Sequence, residues 1–353
     1  MTNSTPDISI IIPTYNEQLH LPQLLASLSK QQDISIQIIL VDGGSHDETQ
    51  NISRAFSNTH DCLCLNSTTS RPSQMNLGAE HARSSLLLFL HADTTITDER
   101  LLITALQSFK QVRKELNQAR IAGHFSMQFS ETQGMHPRGF YFYAAKTSLN
   151  RSDTINGDQG LMISAEFFDE IGRYDERLHF MEDAKIASKI FESGTWITLP
   201  GTIETSARRF IIEGLTERQI LNSFLRNFNH IGLDNFFDSI QTAYQTQSQT
   251  QQLQLRPFLV TVHKFMLEQG LLQAIFRWYH TGGYVAANAW QLVFKMDCDC
   301  HFKLGDPATK VTPQYLKLFD SHCAWFFELS VVKAITGLLT LIWFYGLWFR
   351  YRE

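Results

Sequence analysis

The sequence predicts an α/β protein: a doubly wound, mostly parallel sheet flanked by helices, followed by a mainly helical C-terminal extension. Three observations carry this. Short, wholly apolar runs recur at 8–12, 36–41 and 86–90, as in strands buried on both faces. Segments with helical spacing separate them, the alternation expected of parallel strands joined by crossover helices. Beyond about residue 235 these runs give way to aromatic-rich segments of helical pattern.

Taken in order, ISIIIPTYN (8–16) is an apolar run ending in a Pro-Thr turn, and LHLPQLLASLSKQ (19–31) spaces Leu21, Leu24, Leu25 and Leu28 along one helical face. IQIILVDGGS (36–45) is a second buried strand, ending on Asp42 and two glycines. DETQNISRAF reads as a helix, CLCLN as a short strand and SQMNLGAEHAR as a third helix. LLLFLHADTT (86–95) is a buried strand that runs out onto Asp93. IAGHFSMQF (121–129) alternates better and is expected to be antiparallel. GFYFYAAKTSL (139–149) reads as a helix and GDQGLMIS (157–164) as a loop entering a strand. MEDAKIASKIFESG (181–194) is a helix with acidic residues at its start and glycine at its end, and WITLP (196–200) a last core strand. QTAYQTQSQTQQLQLRP (241–257) is a Gln- and Thr-rich tract. The expected division is a domain over 1–235, a polar linker over 236–257 and a helical, membrane-associated region over 258–353.

A length of 353 residues allows one large domain or two smaller ones. The net charge of −5 lacks the basic excess of a nucleic-acid binder. Five unevenly placed cysteines do not suggest a disulfide scaffold, so a reducing cytosol is expected. MTNSTPDISIIIP has no positive n-region, so no signal peptide is expected. Cys298, Cys300 and His301, with His322 and Cys323, lack the CxxC pairs usual for zinc. The glycosylation-like tripeptides at Asn51 and Asn66 carry no meaning in a cytosolic domain. The far end differs: 334–349 is 16 residues without a charge, and 329–349 is 21 residues with only Lys333 charged. That approaches the length of a membrane span, with Trp343, Tyr345 and Trp348 at one end and Arg350 and Arg352 beyond. Membrane contact through 329–349, spanning or in-plane, is expected. A full span would put both arginines outside, against the positive-inside tendency; an in-plane or re-entrant helix would not.

In open α/β sheets ligands lie at the carboxyl ends of the strands. Three such ends are PTYNE (13–17), VDGGS (41–45) and LHADT (90–94). Asp93 as a mere helix cap is disfavoured, because Thr97 and Asp98 lie closer to the next helix. Neither GxGxxG nor GxxxxGK[ST] is present, which removes a dinucleotide fingerprint and a P-loop. A lone carboxylate just past a strand suits a hard divalent cation, Mg²⁺ or Mn²⁺, bridging diphosphate oxygens. Taken alone, Glu182 and Asp183 favour a helix N-terminus, Arg208 and Arg209 are either solvated or diphosphate-binding, and His91 reads as a structural histidine.

Together, PTYNE, VDGGS, RPSQMN, FLHADT, GDQG, MED and SARR, in this order over roughly 7–230, resemble family 2 glycosyltransferases of the GT-A fold. More narrowly they resemble the bacterial subfamily with QMN, LHADT, GDQG, MED and SxRR. The resemblance implies an inverting, hexosyltransferase-type enzyme that uses a nucleotide-diphosphate sugar and a divalent cation. It puts Pro13, Thr14, Tyr15, Glu17, Asp42, Arg71, Gln74, Asn76 and Ala92 around the nucleotide and Asp93 on the metal. Asp158, Gln159, Glu182, Arg208 and Arg209 fall on the acceptor and diphosphate side, and Asp183 is the catalytic base. His91 replaces the first Asp of the family's DxD, and RPS stands where the subfamily has RAR. The implied setting is the cytoplasm, at the inner face of the membrane. The rival readings are a nucleotidyltransferase of similar fold, for which PTYNEQLHLP supplies no glycine- and arginine-rich loop, and an inactive nucleotide-sugar-binding scaffold at a membrane.

Overall fold

The computed structural model describes residues 5–130, 132, 134–151, 153–178, 180–245 and 252–352. It divides into two compact units: Met1–Glu131 with Tyr143–Ser206, and Thr132–Phe142 with Ala207–Glu353.

The first unit is built on an eight-stranded sheet of β1 (Ile8–Thr14), β2 (Ile36–Asp42), β3 (Cys62–Asn66), β4 (Leu86–Phe89), β5 (Thr94–Thr95), β6 (Ile121–Ser130), β7 (Leu161–Ser164) and β8 (Thr195–Ser206). Their order is β3-β2-β1-β4-β7-β6-β8-β5. The four strands from β3 to β4 are mutually parallel, β7 is antiparallel to both its neighbours, and β6 and β8 pair in parallel. The sheet is therefore mixed and mostly parallel, as expected. The antiparallel expectation for 121–129 holds against β7 and fails against β8. The last core strand is longer than WITLP because a bulge at Phe125/Ser126 lets it continue past Gly201, whose φ of +94° suits glycine.

Alternate residues of β1 feed opposite cores. Ile8, Ile10 and Ile12 pack with α1 (Leu21–Ser29) and α4 (Leu101–Glu115). Ile11 packs in the other layer, which holds residues of α3 (Arg71–Glu80), α6 (Ala165–Glu170) and α7 (Glu182–Ser193). The remaining helix of this half, α2 (Thr49–Ser57), lends Ile52 and Phe56 to the first layer. The period-2 alternation of β1 thus produces a sheet with helices on both faces. Helix α3 lies so close that a Cβ on Gly78 would stand 2.4 Å from the Ile11 side chain. α5 (Pro137–Lys146) begins in the second unit and ends in the first.

The second unit is helical: α8 (Arg208–Glu213), α9 (Leu215–His230), α10 (Asn235–Gln245), α11 (Leu255–Leu267), α12 (Leu271–Ala287), α13 (Trp290–Leu304), α14 (Gln314–His322), α15 (Ala324–Phe327) and α16 (Ser330–Arg350). Where a polar linker is expected over 236–257, α10 and the start of α11 are helical, and 246–251 lie outside the described residues. Phe236, Phe237, Ile240 and Ala243 recur at helical spacing and are buried, so α10 is a packed helix rather than a linker. Cys298 is buried and Cys300 exposed, and no metal-holding group of His, Cys, Asp or Glu forms among the described residues.

Candidate active site

The carboxyl ends of β2, β1 and β4 lie side by side. Asp42 ends β2 and is buried. Its Oδ2 accepts from the backbone N–H groups of Gly44 (3.0 Å) and Ser45 (2.9 Å) and from Gln50 Nε2 (2.8 Å). Its Oδ1 accepts from the hydroxyls of Ser45 (2.5 Å) and Thr14 (3.3 Å). Burial pushes this carboxyl upward, but the Ser45, Gln50 and Gly44 donors outweigh it and hold it below the usual range. Asp42 therefore shapes the Gly43-Gly44 turn. Tyr15, by contrast, is 43% exposed at the mouth. Pro13 and Ala92 are buried backbone-near wall, and the Glu17 N–H donates to Thr49 Oγ1 (2.8 Å).

Helix α3 holds three of the expected residues with different outcomes. Gln74 is 3% exposed, and its Nε2 donates to the carbonyls of Thr14 (2.9 Å) and Val41 (2.7 Å), tying β1 to β2. Asn76 donates to the Tyr174 carbonyl (3.0 Å) and Glu176 Oε1 (2.8 Å) and accepts from the Tyr174 N–H (3.2 Å). Both amides are thus committed within the protein. Arg71 is half-exposed and pairs through Nη1 with the buried Glu182 carboxylate at 3.0 Å.

Four ionisable groups gather past β4. His91 Nδ1 bonds Asp158 Oδ1 at 2.8 Å, and its Nε2 stands 4.0 Å from Asp183 Oδ2. That Nε2 is buried without a hydrogen-bond partner among the described residues. Burial and Arg71 disfavour the His91 cation, yet Asp158 and Asp183 outweigh them and raise its pKa. Asp158 is the middle residue of a 3-10 turn (Gly157–Gln159) held by a reciprocal cap between Asn156 and Gln159, and Gln159 is wholly buried. Asp183 lies in the first turn of α7, after Met181 at φ +63°. A non-glycine residue in that region is strained, and such strain clusters at functional sites. Burial and then Glu182 push the Asp183 carboxyl up to about 6, against the pull of His91 and Arg71. Asp93 is also raised, by burial and then by Asp158.

Gly157 makes this gathering possible. A Cβ there would lie 2.3 Å from Asp183 Oδ2 and 2.6 Å from His91 Nε2. Neither Gly157 nor His91 stands out as functional in the sequence; the only signal is the glycine that opens GDQG. Arg208 and Arg209 begin α8 in the second unit, where Arg209 pairs with Glu213 at 3.1 Å.

A half-buried carboxylate raised toward neutrality, beside further carboxylates and an imidazole whose protonated form they favour, can take a proton. Residues 9–172 match the family model described as Glycosyl transferase family 2. The chain is 35% identical over 111 residues to the 4,4'-diaponeurosporenoate glycosyltransferase of Staphylococcus haemolyticus, covering 30% of this chain and 29% of that protein. It is 38% identical over 96 residues to the PGL/p-HBAD biosynthesis glycosyltransferase of Mycobacterium bovis, covering 26% and 38%. It thus spans about a third of the length of these curated relatives. Among solved structures, the mannosyltransferase PcManGT from Pyrobaculum calidifontis in complex with GDP-Man and Mn²⁺ superposes with a TM-score of 0.47 at 16% identity, over 97% of this chain and 88% of that one. Residues 9–172 are thus similar to glycosyl transferase family 2, and the curated relatives that part of the chain matches are glycosyltransferases.

Proposed function

We propose that the chain is an inverting glycosyltransferase that moves a hexosyl group from a nucleotide-diphosphate sugar to an acceptor hydroxyl, at the inner face of a membrane that it touches through 329–349. The observation that carries this reading is Asp183. It is a half-buried carboxylate raised to about 6, anchored in the first turn of a helix whose Ile186, Ala187 and Ile190 are packed in the core. Inversion needs a base on the face opposite the leaving diphosphate, held by backbone and largely ionised at neutral pH. Asp183 receives the acceptor proton as its oxygen attacks the anomeric carbon and the diphosphate departs.

His91 sits between Asp158 and Asp183, which favour its protonated form, and Gly157 keeps the space between them open. The rim of Tyr15, Glu17 and the turn shaped by Asp42 borders the nucleotide, with Arg71 beside it and Gln74 and Asn76 bracing that wall from behind. Among the described residues no three-sidechain metal cage forms. A hard cation needs only one or two carboxylates besides phosphate oxygens and water. The donor set is of the right chemistry, because Asp93 and Asp158 are neighbouring carboxylates and both burial and the Asp158 charge, in that order, make Asp93 ionise reluctantly, a cost that a cation relieves. Asp93, with Asp158 near it, would hold Mg²⁺ or Mn²⁺, which neutralises charge developing on the leaving diphosphate.

Turnover of a nucleotide-sugar panel, including slow donor hydrolysis, tests the reading. Asp183→Asn should lower turnover by about 10²–10⁴ while leaving donor affinity nearly unchanged. Near-normal turnover with Asp183→Asn, alongside a dead Asp158→Asn, would move the base to Asp158.

A further inference from the structure

Charge is unevenly divided between the two units. Met1–Glu131 with Tyr143–Ser206 carries 15 Lys and Arg against 24 Asp and Glu, a net of −9. Thr132–Phe142 with Ala207–Glu353 carries 15 against 11, a net of +4. The basic unit is also the one with an uncovered apolar face. Val331, Ile335, Leu338, Leu339, Ile342 and Phe349 run along α16, each at least 55% exposed. Their spacing of four, three, one, three and seven residues makes one stripe.

The opposite side of α16 is packed. α12 and α16 meet antiparallel at two glycines: a Cβ on Gly282 would fall 2.1 Å from the Lys333 carbonyl oxygen, and one on Gly337 2.6 Å from that of Trp278. Trp278 also meets Phe344 at 5.5 Å. This brings the N-terminal half of α12 alongside the C-terminal half of α16, and there Leu271, Leu272, Ile275 and Phe276 are again exposed. Two neighbouring helices thus both leave apolar side chains exposed, and the exposed Arg350 and Arg352 stand at the end of α16.

We propose that α12 and α16 form an in-plane wedge that enters one leaflet of an anionic bilayer, the stripe facing the acyl chains and the arginines at its end the phosphate headgroups. This rests on the membrane reading above and decides its geometry. At 21 residues α16 is long enough to cross a bilayer. Its packed side, however, is polar at several points. Tyr345 Oη shares a hydrogen bond with His263 Nδ1 (3.1 Å), Arg256 donates to the Trp348 carbonyl (3.1 Å), and Tyr351 donates to Glu217 (3.0 Å). A span would drag Arg256, His263 and Glu217 toward hydrocarbon, where charged and polar groups have no solvent. An in-plane helix immerses only the exposed stripe and leaves these groups on the aqueous side. A basic patch adds attraction to anionic lipid that salt weakens.

The test uses the full chain and vesicles of phosphatidylcholine with or without phosphatidylglycerol, in the absence of any sugar donor. Sedimentation should show binding that phosphatidylglycerol strengthens and salt weakens, and alkaline carbonate should strip the protein off. Leu338→Glu and Ile342→Glu should each weaken binding by about tenfold or more, since each puts a charge into the buried layer. Arg350→Glu with Arg352→Glu should abolish the preference for phosphatidylglycerol while leaving weaker binding to neutral vesicles. Unchanged melting temperatures in lipid-free buffer would show that these surface variants fold. Retention through carbonate would overturn the in-plane geometry and leave a span. No binding to either vesicle, with a stable dimer in plain buffer, would overturn membrane contact altogether. None of these outcomes bears on glycosyl transfer.

Discussion

Replacing Asp183 by asparagine should make the protein more stable as it makes it inactive. The carboxyl normally titrates at 3.8 and is pushed to about 6 in the folded state. A carboxylate raised on folding leaves stability intact below its unfolded value, and that stability is lost as pH rises through the folded value. Between pH 3.8 and about 6, at about 1.4 kcal/mol per pH unit, the loss amounts to about 3 kcal/mol at most. The neutral amide of Asp183→Asn mimics the protonated form and escapes this loss. At pH 7.5 the variant should therefore gain about 1–3 kcal/mol. For a unit of this size that is roughly 2–4 °C in Tm per kcal/mol. At pH 4 the two proteins should melt nearly together. Differential scanning calorimetry of both across pH 4–8 reads the gap directly, and turnover on the same samples should fall by about 10²–10⁴. A variant that melts at or below the wild type at pH 7.5 would refute the idea that the site holds a carboxylate against its preference.

Three further outcomes follow from the same geometry. kcat/KM should rise with pH through about 6 and then level, because the base must be ionised in the free enzyme; a flat profile from pH 5 to 8 would remove Asp183 from that role. Gly157→Ala, whose new Cβ overlaps Asp183 and His91, should cost about 1–3 kcal/mol of stability and nearly all turnover, and an active, equally stable variant would mean that the turn relaxes freely. Asp42→Ala removes the acceptor of five donors and should weaken nucleotide binding by about 1–3 kcal/mol along with a loss in Tm; a titration with unchanged affinity would take Asp42 out of the nucleotide wall.

Much of this molecule follows from local pattern. The apolar runs of β1, β2 and β4, the helical spacing of Leu21, Leu24, Leu25 and Leu28, and the acidic start of α7 are periodicities of the chain itself, and each became the expected element. Asp42 at the end of β2 follows equally, whereas the run expected to end on Asp93 stops at Phe89 and leaves Asp93 in the turn before β5. Relations between distant positions are a different matter. That β6 and β8 pair in parallel, and continue past a bulge, depends on residues far apart in sequence, and that 235–245 is a packed helix depends on what covers Phe236 and Ile240. Gln74 and Asn76 illustrate the limit most clearly: as residue types they suit a sugar, and only folding commits their amides to Thr14, Val41, Tyr174 and Glu176. The imidazole beside Asp183 is likewise a tertiary product, since His91 and Asp158 are 67 residues apart and meet at 2.8 Å, and only a glycine at 157 leaves room for His91 and Asp183 together. Sequence fixes which groups are available and the period on which each element repeats; the close approach of backbone to carboxylate, which sets burial and so protonation, exists only in the folded chain.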